Sequence, residues 1–148
     1  MIRAADSDDD IIAVHKLLMV MGNEVAREPV DPIMVMEHIV GLVRKQGGAV
    51  LMAFHESELA GVLGLQERHQ WWTRSTFLAD APLYVLPEYR NTDVFPALLQ
   101  EARAIGDMVK QRVVIVRNNP NRRPKRADHV ASLIGYSPFG DIYAFYPR

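Results

Sequence analysis

Cysteine is absent from this 148-residue chain, which excludes a disulfide framework, a thiolate metal site and a cysteine nucleophile. Net charge is nearly absent too: the formal value is −1. The chain therefore has no global attraction to nucleic acid or to an anionic membrane, and an electrostatic partner must be met by a local patch. No run of about 18 apolar residues and no signal-peptide pattern occurs, so no membrane partner is expected and a cytoplasmic location follows by default. No Ser, His and Asp arrangement and no metal-ligand spacing emerges, so neither a hydrolase nor a metal centre is indicated. There is no repeat, low-complexity tract or linker. The length and ordinary apolar share suit one domain, 1–148, with its own core.

What is present alternates between the two periodicities. Residues 2–5 read as a first strand, and the acidic run Asp6, Asp8, Asp9, Asp10 sits where a helix N-terminus favours negative charge. A first helix carries Ile11, Val14, Leu17, Leu18 and Met21 and is expected to end at Gly22 and Asn23. Asp31 before Pro32 starts a second, with Gly47 and Gly48 beyond its end. Met19, Met21, Met34 and Met36 are read as core filler, with a site-lining role as the alternative. Residues 49–54 and 59–65 form a hairpin around His55, Glu56, Ser57 and Glu58. A further strand is expected at 73–78, after a segment holding His69, Trp71 and Trp72; adjacent residues of a strand face opposite sides, so one Trp should pack and the other be left for an edge or partner surface. Later come a strand at 112–116, a loop from Arg117 to Arg126 with five cations, a helix at 128–134 stopped by Gly135, and a closing strand at 142–146.

The centre of the chain is LYVLPEYRNTDVFPALLQEA, residues 83–102. Leu83, Tyr84, Val85 and Leu86 are β-prone, Pro87 ends the run, and Ala97, Leu98, Leu99, Ala102 and Ile105 recur at helical spacing. A strand feeding a helix N-terminus aims unpaired N–H groups and the positive end of a dipole at one point, a ready seat for phosphate or pyrophosphate, and Arg90 adds a cation there. Thr92 or Asp93 is suited to cap the helix.

This stretch resembles the cofactor-binding core of the GNAT superfamily of acetyl-coenzyme A dependent N-acetyltransferases. Pro87, Glu88, Tyr89 and Arg90 match its Pro-x-x-Arg turn, and Gly135 and Tyr136 stand where the family has a closing Gly-Phe. The compact loops and the Gly-Tyr turn also resemble acetyltransferase-like proteins of tailed bacteriophages. The fold implied is α/β (α+β), a single-domain mixed β-sheet with helices on both faces. The activity implied is transfer of acetyl from acetyl-CoA, as co-substrate, to a primary amine of an unknown small-molecule or protein acceptor by direct attack.

The resemblance assigns cofactor binding to the backbone of Leu83, Tyr84 and Val85, to Arg90, and to the N–H groups of Asn91, Thr92, Asp93, Val94 and Phe95. Asn119 in the basic loop would help grip coenzyme A, with a solvated loop as the alternative and nucleic acid disfavoured for want of interleaved aromatics. The catalytic candidates are Asp80 and Glu67, carboxylates for proton removal, and Tyr143 as general acid, ahead of Tyr146 and Ser132. For Asp80 a turn before Pro82 is the competing role. Three family features differ: Asp93 and Phe95 fall where the loop has glycines, Ala131 where many members have a tyrosine, and Pro124 where an asparagine is common. These differences, with the Trp pair, motivate a second reading: a catalytically inactive binding or interaction module, with a homodimer or protein partner.

Overall fold

The computed structural model describes residues 1–45, 47–116 and 124–137. The basic-loop residues 117–123, including Asn119, and the expected closing strand with Tyr143 and Tyr146 lie outside the described residues. The elements are β1 (Ile2–Ala4), α1 (Asp8–Val25), α2 (Pro32–Arg44), β2 (Gly48–His55), β3 (Glu58–His69), β4 (Thr76–Val85), a 3-10 turn (Pro87–Tyr89), α3 (Val94–Val109), β5 (Arg112–Val114) and α4 (Pro124–Ile134). They form one mixed sheet in the order β1-β2-β3-β4-β5. Every neighbouring pair is antiparallel except β4 with β5, which are joined through α3 and run parallel.

Strand alternation sorts the core into two layers. Val50, Met52, Val62 and Tyr84 meet Val14, Leu17, Leu18, Ile39 and Leu42 of α1 and α2. Leu51, Ala53, Leu63, Leu65 and Val85 meet Val94, Leu98 and Ala102 of α3 on the opposite face. α4 then packs on α3, with Ile134 buried and the Tyr136 hydroxyl donating to Leu99 O at 2.9 Å. Burial drives the Tyr136 pKa up to about 12.

The acidic run does cap α1, through a capping box in which Ser7 accepts from Asp10 N and Asp10 from Ser7 N. Asp10 is not solvated, however. It is buried and takes both arms of Arg3, at 2.7 and 2.6 Å, which hold its carboxyl well below the usual carboxylate range. α1 runs on past Gly22 to Val25, because that glycine makes room for the returning chain: a Cβ there would lie 2.7 Å from Val30 Cγ2. Asp31 caps α2 as its sequence predicts, accepting from Ile33 N at 2.9 Å. Met21 and Met36 pack on the core, whereas Met34 is exposed. The hairpin turns through Glu56 and Ser57 with φ of 49° and 70°, the positive values of a type I′ turn.

The largest departure concerns β4. The separate strands expected at 73–78 and 83–86 are one strand, Thr76–Val85, which passes through Pro82 by a bulge against β3 between Leu63 and Leu65. Gly64 is what admits the bulge, since a Cβ there would lie 2.3 Å from Ala81 O. The segment before β4 is a turn, so neither Trp71 nor Trp72 packs inside; both are exposed, at 89% and 63%, edge to face on one another at 5.2 Å between ring centres. α4 begins at Pro124, earlier than expected, because proline suits the first turn of a helix.

Candidate functional site

β4 and β5 are paired only through Phe77–Arg112, Leu78–Val113 and Ala79–Val114. Beyond that point the Asp80 carboxylate enters the ladder: its Oδ1 accepts from Val116 N at 2.9 Å, taking the N–H that pairing would otherwise use. Ladder pairing therefore stops at Val114, short of the Val116 expected from sequence. Among the described residues, β4 from Asp80 to Val85 has no strand on this side. Five residue steps at about 3.3 Å make this edge roughly 17 Å long. It leads from Asp80 to the start of α3.

At the Asp80 end lies a cleft of about 710 Å³, lined by His38 of α2, Phe77 and Ala79 to Pro82 of β4, Arg112, Val114 and Val116, and the end of β3 and the turn after it from Arg68 to Trp72. His38 donates from Nε2 to Ala81 O at 2.7 Å, which fixes its tautomer, since a carbonyl can only accept. Asp80 is half-buried, and that desolvation raises its pKa above the ordinary carboxylate value despite the Val116 hydrogen bond. Asp80 is thus a strand residue and not a turn residue. Glu67 is exposed, opposite Leu78, and accepts from Gln111 Nε2 at 2.7 Å. The register sets Glu67 and Asp80 on one face of the β3–β4 pair, two positions apart, but only Asp80 lines the cleft.

At the far end of the edge is the strand–turn–helix junction. Arg90 does not stand alone there. Its Nη2 pairs with Glu24 Oε2 at 2.7 Å and its Nε donates to Val85 O at 2.9 Å, while the Tyr84 hydroxyl donates to the same Glu24 oxygen. Burial and the Glu24 carboxylate push the Tyr84 pKa up to about 12. Glu24 was not singled out by sequence; it lies 66 residues from Arg90, and no local pattern marks it.

Asp93 occupies the cap position of α3 but makes no side-chain cap. Thr92 does that work: its Oγ1 accepts from Val94 N at 3.3 Å and donates to Tyr89 O at 2.6 Å. The Asp93 carboxylate is exposed. Phe95 packs against the core under α3 with Val85 and Leu98, and Asn91 accepts from Arg126 of α4. Leu83 is half-buried on the α3 face, opposite the Tyr84 ring. Among the described residues no group of three His, Cys, Asp or Glu is placed to hold a metal, and no helix is long and apolar enough to cross a membrane.

A mixed sheet that opens between two parallel strands, beside a strand–turn–helix junction, is the fold of the GNAT acetyltransferases. The solved structures that match the chain carry it. A possible acetyltransferase from Clostridium difficile 630 has a TM-score of 0.70 at 19% identity, with 100% of this chain and 97% of that chain covered. AAC(6')-Iy, in complex with the bisubstrate analogue CoA-S-monomethyl-acetylneamine, has a TM-score of 0.74 at 14% identity, with 100% and 97% covered. A ribosomal-protein-alanine N-acetyltransferase from Brucella melitensis biovar Abortus 2308 has a TM-score of 0.68 at 16% identity, with 99% and 97% covered. At these identities the likeness establishes the fold. No protein-family model and no curated protein matches the sequence.

Proposed function

We propose that the chain is an N-acetyltransferase that moves acetyl from acetyl-coenzyme A to a primary amine by direct attack. The observation that carries this reading is the open edge of β4, which joins a cleft containing a half-buried carboxylate to the N-terminus of a helix. The residues present suit coenzyme A. The backbone groups that Leu83 to Val85 turn to the open side, apart from the Val85 carbonyl that Arg90 holds, would take an extended amide-bearing arm as a strand is taken at a sheet edge. Of the N–H groups of residues 91–95, Thr92 N is bonded to Tyr89 O and Val94 N to Thr92 Oγ1, so those of Asn91, Asp93 and Phe95 would take the diphosphate. Phe95 is compatible with this because its ring packs into the core, and Asp93 because its carboxylate is exposed. Arg90 would act from the side, holding the loop to Glu24 and Val85. Asn119 would contribute to the same grip from outside the described residues.

When bound, the co-substrate supplies a thioester carbonyl for the amine to attack; a C–N bond forms, the C–S bond breaks, and the sulfur leaves as a thiol. The chain's own part is to hold and move protons. Asp80, with Oδ1 engaged by Val116 and a raised pKa, takes the amine proton, directly or through water. His38 holds the Ala81 carbonyl and so shapes the strand beside it. An N–H of Leu83 to Val85 stabilises charge developing on the carbonyl oxygen. Tyr143, outside the described residues, would return a proton to the departing sulfur, and Glu67 is the lesser candidate for proton removal.

The second reading, an inactive binding module, is favoured by Glu24, which offsets the charge of Arg90. Titration with acetyl-CoA and coenzyme A, followed by thiol release over a panel of amines, separates the two. Micromolar binding with thiol release that Asp80→Asn slows by about 10²-fold or more is the expected result. Binding without turnover would favour the module, and no binding at millimolar co-substrate would overturn the enzyme reading.

A further inference from the structure

The cleft is basic and aromatic, unlike a seat for a polycation. Asp80 is the single carboxylate among the described residues that line it, against Arg68 and Arg112. Its outer wall is the Trp71–Trp72 pair, whose rings stand edge to face and outside the core, and its floor includes Phe77, with Arg112 stacked over that ring at 5.4 Å. Two large rings left in water on a turn are a costly arrangement unless something covers them. A guanidinium on an aromatic-walled rim attracts an anion and repels a second cation.

We infer that the acceptor is a small zwitterionic aromatic amine: an amine that approaches Asp80, a flat ring that lies on the tryptophans, and a carboxylate that meets Arg68. This inference rests on the acetyltransferase reading for the transfer step, but the binding it describes is independent of that step. The flat ring gains from stacking on Trp71 and Trp72. The carboxylate gains a charge-assisted hydrogen bond that an uncharged analogue lacks. A polyamine gains neither, and meets the two arginines.

The test uses phenylalanine, phenethylamine and sisomicin as probes, with binding followed by titration calorimetry and, separately, thiol release in the presence of acetyl-CoA. The whole chain should bind phenylalanine at least about tenfold more tightly than phenethylamine, as expected for a hydrogen bond between charged groups, and sisomicin more weakly than either. Arg68→Ala should bring phenylalanine and phenethylamine to equal affinity without changing the melting temperature, because Arg68 is exposed. Trp71→Ala should weaken both alike. Equal affinities in the unaltered protein, or preferred binding of sisomicin, would overturn the inference. Tight, Arg68-dependent binding of phenylalanine without thiol release would uphold it while counting against the acetyltransferase reading, and thiol release with polyamines alone would do the reverse.

Discussion

Replacing Glu24 by Gln tests whether the junction beside β4 is held by one half-buried carboxylate. Glu24 receives the Arg90 guanidinium and the Tyr84 hydroxyl on the same oxygen, with the Arg90 and Glu24 side chains only 17% and 27% exposed. The gross attraction of two such charges is about 4 kcal/mol at 4 Å with an effective dielectric near 20. Desolvation offsets part of it, leaving about 1.5–3 kcal/mol net for a hydrogen bond between charged groups. For a chain of this length that corresponds to a fall in Tm of roughly 5–10 °C. Tyr84 should also titrate below its present value of about 12, because the neighbouring negative charge has gone while the burial remains. Thermal unfolding measures the first effect and ultraviolet titration of the tyrosines the second. The Arg90→Ala variant and the double variant complete a cycle, in which the summed single losses should exceed the double loss by about 1 kcal/mol, as expected of groups in contact. Strict additivity, with Tyr84 unmoved, would refute the reasoning.

Other outcomes follow from the same geometry. Asp80→Asn should lower kcat/KM by about 10²-fold or more. In the unaltered protein kcat/KM should fall as pH drops through the raised Asp80 pKa, since only the carboxylate accepts the proton, and that acid limb should vanish in the variant. Because the folded protein holds this proton more firmly than the unfolded chain, the Asp80 contribution to stability decreases as pH rises from 3.8 through the raised value. Asp80→Asn should therefore leave Tm at neutral pH unchanged or higher. Asp10 has the opposite sign: its contribution is present above the unfolded value of 3.8 and lost as pH falls toward its depressed folded pKa. Asp10→Ala should cost about 2 kcal/mol at neutral pH and flatten the acid side of the stability profile measured by urea unfolding. Gly64→Ala should cost 3 kcal/mol or more on the order expected for backbone overpacking, because the added carbon would lie 2.3 Å from Ala81 O and the bulge could not form.

How much of this was legible in the sequence depended on the range of the interactions. The caps were local and could be read: Asp31 before Pro32 starts α2, and the acidic run starts α1. The strand, Pro87 turn and helix were likewise written in adjacent residues. β4 was misread because Pro82 signals an end to strand pairing, while the bulge that accommodates it depends on Gly64 across the sheet. The same distance hid Glu24 and the Asp80–Val116 contact, which join residues 66 and 36 positions apart. That Phe95 replaces a loop glycine is visible in the sequence, but that it packs against the core is not. Nothing local marks His38 within its amphipathic helix; only the fold brings Ala81 to it.

The most direct test of the account is backbone amide exchange across β4 with and without saturating acetyl-CoA. The open edge should become protected at Leu83 to Val85 and at residues 91–95, while the paired segment Phe77 to Ala79 stays as it was. Saturation with no new protection between Asp80 and Val85 would contradict the claim that this edge is where the co-substrate lies.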